Sequence, residues 1–134
     1  MANKPDDKLQ RLVSRLEYAC GEDLASVVLY GSAARDEYHE RYSDLNLLIV
    51  LREMKPRIYP ALAGVLKWWT LDEKLRPPII MTLQELRESA DVFAIEMLDI
   101  QSSHKTLHGE EVLNGIEVPI VFHFVRPVLE RLHT

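Results

Sequence analysis

Two short polar segments lie next to the most apolar runs of the chain, and they contain the residue types best suited to binding or catalysis. A glycine-serine turn, Gly31-Ser32, ends the β-branched apolar run Leu24–Tyr30. The dipeptide Ser43-Asp44 stands directly before a second apolar run, Leu45–Leu51. Runs of this length and composition are typical of buried strands. Two buried strands therefore present a turn and a carboxylate, and the sequence predicts a polar site between them.

The elements that must position this site are both helices and strands. Apolar residues spaced by three and four predict helices, short apolar runs predict strands, and glycine or proline marks the ends. The predicted elements are, in order, a helix over Asp6–Cys20 ended by Gly21, strands Leu24–Tyr30 and Leu45–Leu51, a helix over Pro56–Leu75, a strand Ile79–Met81, a helix Glu85–Ala90, a stretch Asp91–Ile100 of helical or mixed structure, a strand His104–His108, a helical turn Glu110–Leu113 and a tight turn Asn114-Gly115.

Several residues have structural interpretations that outweigh chemical ones. Thr82 and Glu85 have the spacing of a capping box, so both are expected to bind backbone N–H groups at a helix start. Trp68 and Trp69 are adjacent, so one is predicted in the core and the other at an edge. Cys20 lies on the apolar side of the first helix and is expected to be a small core residue.

Composition and charge set the outer limits on function. The chain has 134 residues, which indicates one domain, residues 1–134, in which 116–134 is a possible C-terminal extension or interface segment. A formal charge of −5 argues against generic nucleic-acid binding. A single cysteine, a charged N-terminus and the lack of a long apolar run predict a cytoplasmic protein without a membrane span.

The turn and the strand entry together resemble the nucleotidyltransferase superfamily, which includes DNA polymerase β and the minimal antitoxin-type nucleotidyltransferases. The family pattern is a Gly-Ser turn, often followed by x-Ala-Arg, and then Ser-Asp-x-Asp. This chain has Gly31-Ser32-Ala33-Ala34-Arg35 and Ser43-Asp44-Leu45-Asn46. The resemblance covers about Asp6 to Leu113. It implies an α/β (α+β) fold with a mixed β-sheet flanked by helices.

The resemblance also implies roles for individual residues. Gly31 and Ser32 would bind the triphosphate of a nucleotide, and Arg35 and Ser43 belong to the same nucleotide-binding set. Acids at i and i+2 on a strand point to the same side, where they share metal ions with a third acid on a neighbouring strand. Asp44 and Asn46 occupy these two positions, so the implied ligands are an NTP and Mg²⁺.

The chain departs from the family pattern at the metal site. Asn46 stands where the second aspartate belongs, and a neutral amide is a poor ligand for Mg²⁺. The third acid is expected on the strand Ile79–Thr82, which contains only isoleucine, methionine and threonine. Asp36 adds a charge beside the turn. The metal site is therefore predicted to be degenerate, with Mg²⁺ bound weakly or not at all.

Three functions agree with these residues. The first is a protein that binds NTP through the Gly-Ser turn and Asp44, with catalysis impaired or lost. The second is an active Mg²⁺-dependent enzyme that transfers a nucleoside monophosphate to a hydroxyl acceptor. The third is an interaction module that pairs with a helical partner protein or forms a homodimer, for which the apolar segment Val118–Leu132 is a candidate surface.

Overall fold

A computed structural model describes residues 5–31, 34 and 45–117 of the chain. The long elements are a mixture of helices and strands, as the apolar patterns predict. They are α1 Pro5–Cys20, β1 Leu24–Tyr30, β2 Asn46–Leu51, α2 Tyr59–Lys67, β3 Ile79–Thr82, α3 Leu83–Val92, α4 Ala94–Ser102 and β4 His104–Gly109. Short 3₁₀ turns cover Gly21–Asp23 and Pro56–Ile58, and a π-helical turn covers Trp68–Asp72.

The four strands form one mixed sheet in the order β3-β2-β1-β4. Strand β1 is central and runs antiparallel to both neighbours, whereas β2 and β3 run parallel. The parallel pair needs a crossover connection, which the helical segment between β2 and β3 supplies. The predicted α+β class with a mixed sheet flanked by helices is confirmed.

Helices cover both faces of the sheet, because β1 and β2 are apolar on both sides. On one face, Val27 and Ile49 pack with residues of α1 and α2, such as Leu12 and Leu62. On the other face, alternate residues of the same strands pack with α3, α4 and the segment after β4; the buried members of this second cluster are Ala25, Val28, Leu48, Val50, Leu86, Ala90, Met97, Val112, Leu113 and Ile116. Nearly continuous apolar strands are what a sheet covered on both faces requires.

The helix predicted over Pro56–Leu75 is wrong in its extent. Its α-helical part is Tyr59–Lys67, and the chain then widens into the π-helical turn Trp68–Asp72. The wider turn shifts the side-chain register, and Leu71 within it is exposed. The prediction for the tryptophan pair is confirmed, since Trp69 is fully buried and Trp68 is half-buried.

The capping box begins α3 as predicted. The Thr82 hydroxyl accepts from the Glu85 N–H, and the Glu85 carboxylate accepts from the Thr82 N–H. The undecided stretch Asp91–Ile100 contains the end of α3 and most of α4, which are separated by a break at Phe93. The Phe93 side chain at this break is exposed.

Strand β4 is irregular, and this separates its two histidines. A bulge in the pairing with β1 lies between the Val27 and Val28 positions. A regular strand would place His104 and His108 on one face. Instead, His108 contacts Glu17 of α1, at 3.2 Å, and His104 contacts Glu111, at 2.8 Å, beside the second core cluster. Each imidazole therefore has its own glutamate, and the pair does not converge.

Beyond β4 the predicted helical turn Glu110–Leu113 is wrong, because residues 110–112 have no regular secondary structure and the hydrogen-bonded turn lies at Asn114-Gly115. The side-chain amide of Gln101 donates to the carbonyls of Leu113 and Ile116.

The remaining sequence predictions divide between residues that the structure describes and residues that it does not. Cys20 is buried, and burial, followed by the nearby Asp23 charge, raises the pKa of its thiol, as expected for a core cysteine. Asp36, beside the turn, and the C-terminal segment Val118–Leu132 lie outside the described residues. Within residues 5–31 and 45–117, no helix combines the length and the apolar composition that a membrane crossing requires.

Candidate functional site

Two of the six predicted site residues lie within the described structure, and they are neighbours. Tyr30 and Asn46 are paired across β1 and β2, so Gly31 follows directly beside Asn46. The other four predicted residues lie outside the described residues and are Ser32, Arg35, Ser43 and Asp44. The sheet thus brings together the described parts of the turn motif and the strand-entry motif.

Gly31 has a backbone conformation that favours glycine. Its φ is +83°, and a Cβ atom placed there would lie 3.1 Å from the side-chain nitrogen of Asn46. Its N–H donates to the Ser103 carbonyl at 3.0 Å, and its own carbonyl accepts from the Ala34 N–H at 3.1 Å. Both the left-handed φ and the close Asn46 side chain therefore require a residue without a side chain.

The side chain that contacts Asn46 belongs to Arg76. The Nη1 of Arg76 donates to the Oδ1 of Asn46 at 2.6 Å. The amide oxygen that corresponds to a metal-ligating carboxylate in the family pattern therefore binds a guanidinium cation. A short distance of this kind is typical of hydrogen bonds in which one partner is charged.

The fold brings Arg76 to this place from 30 residues away. Strand β3 runs parallel to β2, with Ile79 opposite Leu48, so the residues just before β3 lie near the start of β2. The indole N–H of the fully buried Trp69 donates to the Arg76 carbonyl at 3.1 Å and holds its backbone. Sequence reasoning missed Arg76 because the parallel pairing of β2 with β3 was not predicted.

An open cavity of about 500 Å³ lies next to this pair. Tyr30, Gly31 and Asn46 line it at the end of the sheet, and Ile79 lines it from β3. The exposed residues Glu96 and Asp99 of α4 line the opposite wall, joined by Ile100 and Ser102. Sequence reasoning missed the two acids because the type of the Asp91–Ile100 stretch was undecided.

The electrostatics of the cavity differ from one wall to the other. Burial raises the pKa of the Tyr30 hydroxyl, and the positive charge of Arg76 opposes that rise. The sheet end of the cavity therefore has a neutral hydroxyl and a neutral amide that is bound to Arg76, whereas the α4 wall has two carboxylates. Such a site can accept hydrogen-bond donors near α4 and polar groups at the sheet end.

The described residues do not fit the metal centre that the family pattern implies. The Asn46 oxygen is neutral and engaged with Arg76, and the cavity-lining residue of β3 is Ile79. Residues 5–31, 34 and 45–117 contain no cluster of three or more His, Cys, Asp or Glu side chains suited to holding a metal ion. Mg²⁺ prefers several oxygen ligands in octahedral geometry, and these groups do not supply them.

Two solved structures are similar to this chain in fold. One is a tyrosine-to-alanine variant of the toxin–antitoxin pair MntA–HpeT, 15% identical, with a TM-score of 0.50 over 92% of each chain. The other is spectinomycin adenyltransferase AAD(9) from Enterococcus faecialis with ATP and spectinomycin, 15% identical, with a TM-score of 0.52. The second match covers 87% of this chain and 62% of the adenyltransferase. At these identities the likeness concerns the fold.

A comparison with protein families gives a direct assignment, whereas no curated protein sequence matches significantly. Residues 7–106 match the family described as the nucleotidyltransferase domain. This range runs from α1 into β4 and includes the turn at Gly31, the strand entry at Asn46 and the cavity beside them. Since the match spans most of the chain and agrees with the mixed sheet, this chain belongs to the nucleotidyltransferase domain family.

Proposed function

We propose that this chain binds a nucleoside triphosphate at the cavity beside Gly31 and that its nucleotide-transfer activity is impaired or lost. The observation that carries the proposal is the 2.6 Å hydrogen bond from Arg76 to the Asn46 oxygen. A carboxylate at that position would help to hold a metal ion, which is the principal catalyst of phosphoryl and nucleotidyl transfer. The Asn46 amide is polar as well, but while it is bound to the Arg76 guanidinium it does not hold a metal ion.

Binding and catalysis depend on different parts of this site. Gly31 allows the backbone to approach a phosphate closely, and Ser32, Arg35, Ser43 and Asp44 are the proposed further contacts to the nucleotide and any Mg²⁺ it carries. A metal that arrives with the triphosphate needs few protein ligands, whereas activation of an attacking hydroxyl needs the carboxylate cluster. Asn46 and Ile79 stand where the family pattern has acids. Their effect is therefore expected to be larger on nucleotide transfer than on nucleotide binding.

The test is a calorimetric titration with ATP and Mg²⁺ combined with a transfer assay using labelled NTP. We expect ATP binding in the titration and little or no label on protein, RNA or small-molecule acceptors. An absence of binding at millimolar ATP would contradict the nucleotide part of the proposal. The adenyltransferase that resembles this chain in fold was solved with ATP, so ATP is the first nucleotide to try.

A second candidate is an active Mg²⁺-dependent nucleotidyltransferase, which one specific observation favours. Glu96 and Asp99 of α4 line the same cavity as Asn46 and offer carboxylates that the strand motif lacks. In the transfer assay, label on an acceptor that disappears in Glu96→Gln and in Asp99→Asn would support this candidate. If the wild type and Asn46→Asp both leave every acceptor unlabelled, the candidate fails.

A role in assembly with a helical partner protein or a second copy also belongs to the proposal. Its support is the exposed apolar pair Val92 and Phe93, whose exposed fractions are 73% and 54%, at the junction of α3 and α4. Light scattering on the full chain and on a chain ending at Glu117 tests the C-terminal segment, since Ile116 is still needed in the core. An unchanged monomer mass in both would exclude self-association. A cytoplasmic location is also proposed, from the single cysteine.

A further inference from the structure

We propose that His104 is a positioning residue for the Gly31 turn and that it acts as a doubly protonated imidazolium. Two oxygen atoms face its ring. The backbone carbonyl of Gln101 lies 3.0 Å from Nδ1, and Oε1 of Glu111 lies 2.8 Å from Nε2. The consequence for nucleotide binding rests on the proposed function, whereas the position of the turn itself does not depend on it.

The chemistry of the two partners sets the protonation of the ring. A carbonyl oxygen can only accept a hydrogen bond, and the same holds for an ionised carboxylate. The second oxygen of Glu111 accepts from the Thr106 hydroxyl at 2.7 Å. Both ring nitrogens of His104 must therefore carry a proton for its two contacts to form together. A neutral imidazole has one N–H, so its other nitrogen would turn a lone pair towards an acceptor.

Two features of the structure compensate a positive charge on this ring. The His104 side chain is only 9% exposed, and the Glu111 carboxylate supplies the countercharge that a buried cation needs. The Gln101 carbonyl belongs to the last turn of α4, where the helix dipole stabilises a cation. The further titratable or charged side chains of the surrounding elements are Tyr30 on β1, Glu96 and Asp99 on α4, Lys105 and His108 on β4, and Glu110, which pairs with Arg52.

The ring fastens the junction between α4 and β4, and this junction contacts the turn. The Ser103 carbonyl accepts from the N–H of Gly31 at 3.0 Å, and the adjoining residues Tyr30 and His104 are paired across β1 and β4. Ser102, on the other side of the junction, lines the cavity beside Gly31. Loss of a ring contact is therefore expected to loosen the junction and, with it, the Gly31 backbone.

The test is amide hydrogen exchange of the full chain, followed by NMR and corrected for the intrinsic pH dependence of exchange. It compares about pH 6 with about pH 8, the range in which histidine side chains ordinarily titrate. We expect the protection of the Gly31 amide to fall by about tenfold between the two, because a charge-assisted hydrogen bond is lost. The amide of Val28, in the centre of β1, reports global unfolding and should change less.

Three variants separate positioning from general stability. In Glu111→Gln the new amide can donate to a neutral ring, so the Gly31 protection should no longer depend on pH. His104→Gln should lower that protection at about pH 6 by about tenfold and should also remove its pH dependence. His108→Gln is the matched control, because His108 lies on the same strand but contacts Glu17, and it should keep the fall seen in the wild type.

The outcomes separate this inference from the proposed function. Equal Gly31 protection of the wild type at both pH values, or a fall that persists in Glu111→Gln, would overturn the inference. In calorimetry at about pH 6, His104→Gln is expected to bind ATP about threefold or more weakly than His108→Gln. Equal affinities would overturn the role of His104 for the ligand. No ATP binding by the wild type would overturn the proposed function and leave the exchange result standing.

Discussion

At the scale of single residues, the site depends on how closely Gly31 and Asn46 approach each other. The glycine has no side chain, and the Asn46 amide fills the space next to it while its oxygen binds Arg76. A change at Gly31 therefore acts on Asn46 first and on Arg76 through it. The turn and the cation form one unit, although 45 positions separate them in sequence.

Gly31→Ala tests this close approach. The left-handed φ of +83° should cost about 1–2 kcal/mol in the free energy of unfolding. The new methyl group should also displace the Asn46 side chain and weaken ATP binding. Urea unfolding and calorimetric titration measure the two effects. Gly21→Ala is the matched control, because Gly21 has a φ of +57° and no neighbouring atom lies within 4 Å of the place its new methyl group would take. Equal ATP affinity in the two variants would contradict the prediction.

The residues of the site differ in how far sequence could predict them. The Gly31 turn and the Asn46 strand entry follow from a local pattern, and β1–β2 pairing brings them together. Arg76 has no local signal, because its contact with Asn46 depends on the parallel pairing of β2 and β3. Strand pairing brings together residues that are far apart in sequence, and the spacing of residues within a short segment does not predict such contacts.

At the scale of elements, the helix and strand boundaries with strong local chemistry were predicted best. The Thr82–Glu85 capping box fixes the start of α3, and apolar runs fix β1 and β2. The π-helical turn at Trp68–Asp72 was missed, because tertiary packing of Trp69 overrides a spacing that is typical of continuous helix. The break at Phe93 lies in the stretch Asp91–Ile100, whose type the sequence does not decide.

Thr82→Ala tests the start of α3. Loss of the hydroxyl leaves the Glu85 N–H without its side-chain acceptor and should lower the free energy of unfolding by about 1 kcal/mol. The midpoint of urea unfolding should fall with no change in its slope. Thr82→Ser keeps the acceptor oxygen and should retain most of the stability. A serine variant as unstable as the alanine variant would show that packing of the Thr82 methyl group, rather than capping, is responsible.

At the scale of the whole molecule, polar contacts tie the segment after β4 to the sheet. Glu111 accepts from Thr106 at 2.7 Å and contacts His104 at 2.8 Å. Partial burial raises the pKa of Glu111, but these hydrogen bonds outweigh it and leave the pKa below its ordinary value. A carboxylate with a lowered pKa stabilises the folded state most at pH values above its unfolded pKa.

This gives a prediction for the pH dependence of stability. The unfolded pKa of a glutamate is about 4.3. The contribution of Glu111 should be complete above that pH and should disappear as the pH falls through the lower folded pKa. Glu111→Gln should therefore have a flatter loss of stability in acid, measured by urea unfolding between about pH 6 and pH 3. Glu117→Gln, at another exposed glutamate, should keep the wild-type profile.

The strand order has a consequence for the protein while it is being synthesised. Strand β1 is the central strand, and β4, which covers one of its edges, is the last strand of the described chain. A nascent chain that has not reached His104 exposes the unpaired N–H and C=O groups along that edge of Leu24–Tyr30. An uncovered apolar strand of this kind invites pairing with other chains. Completion of β4 is thus the step that removes this edge of the central strand from contact with other chains.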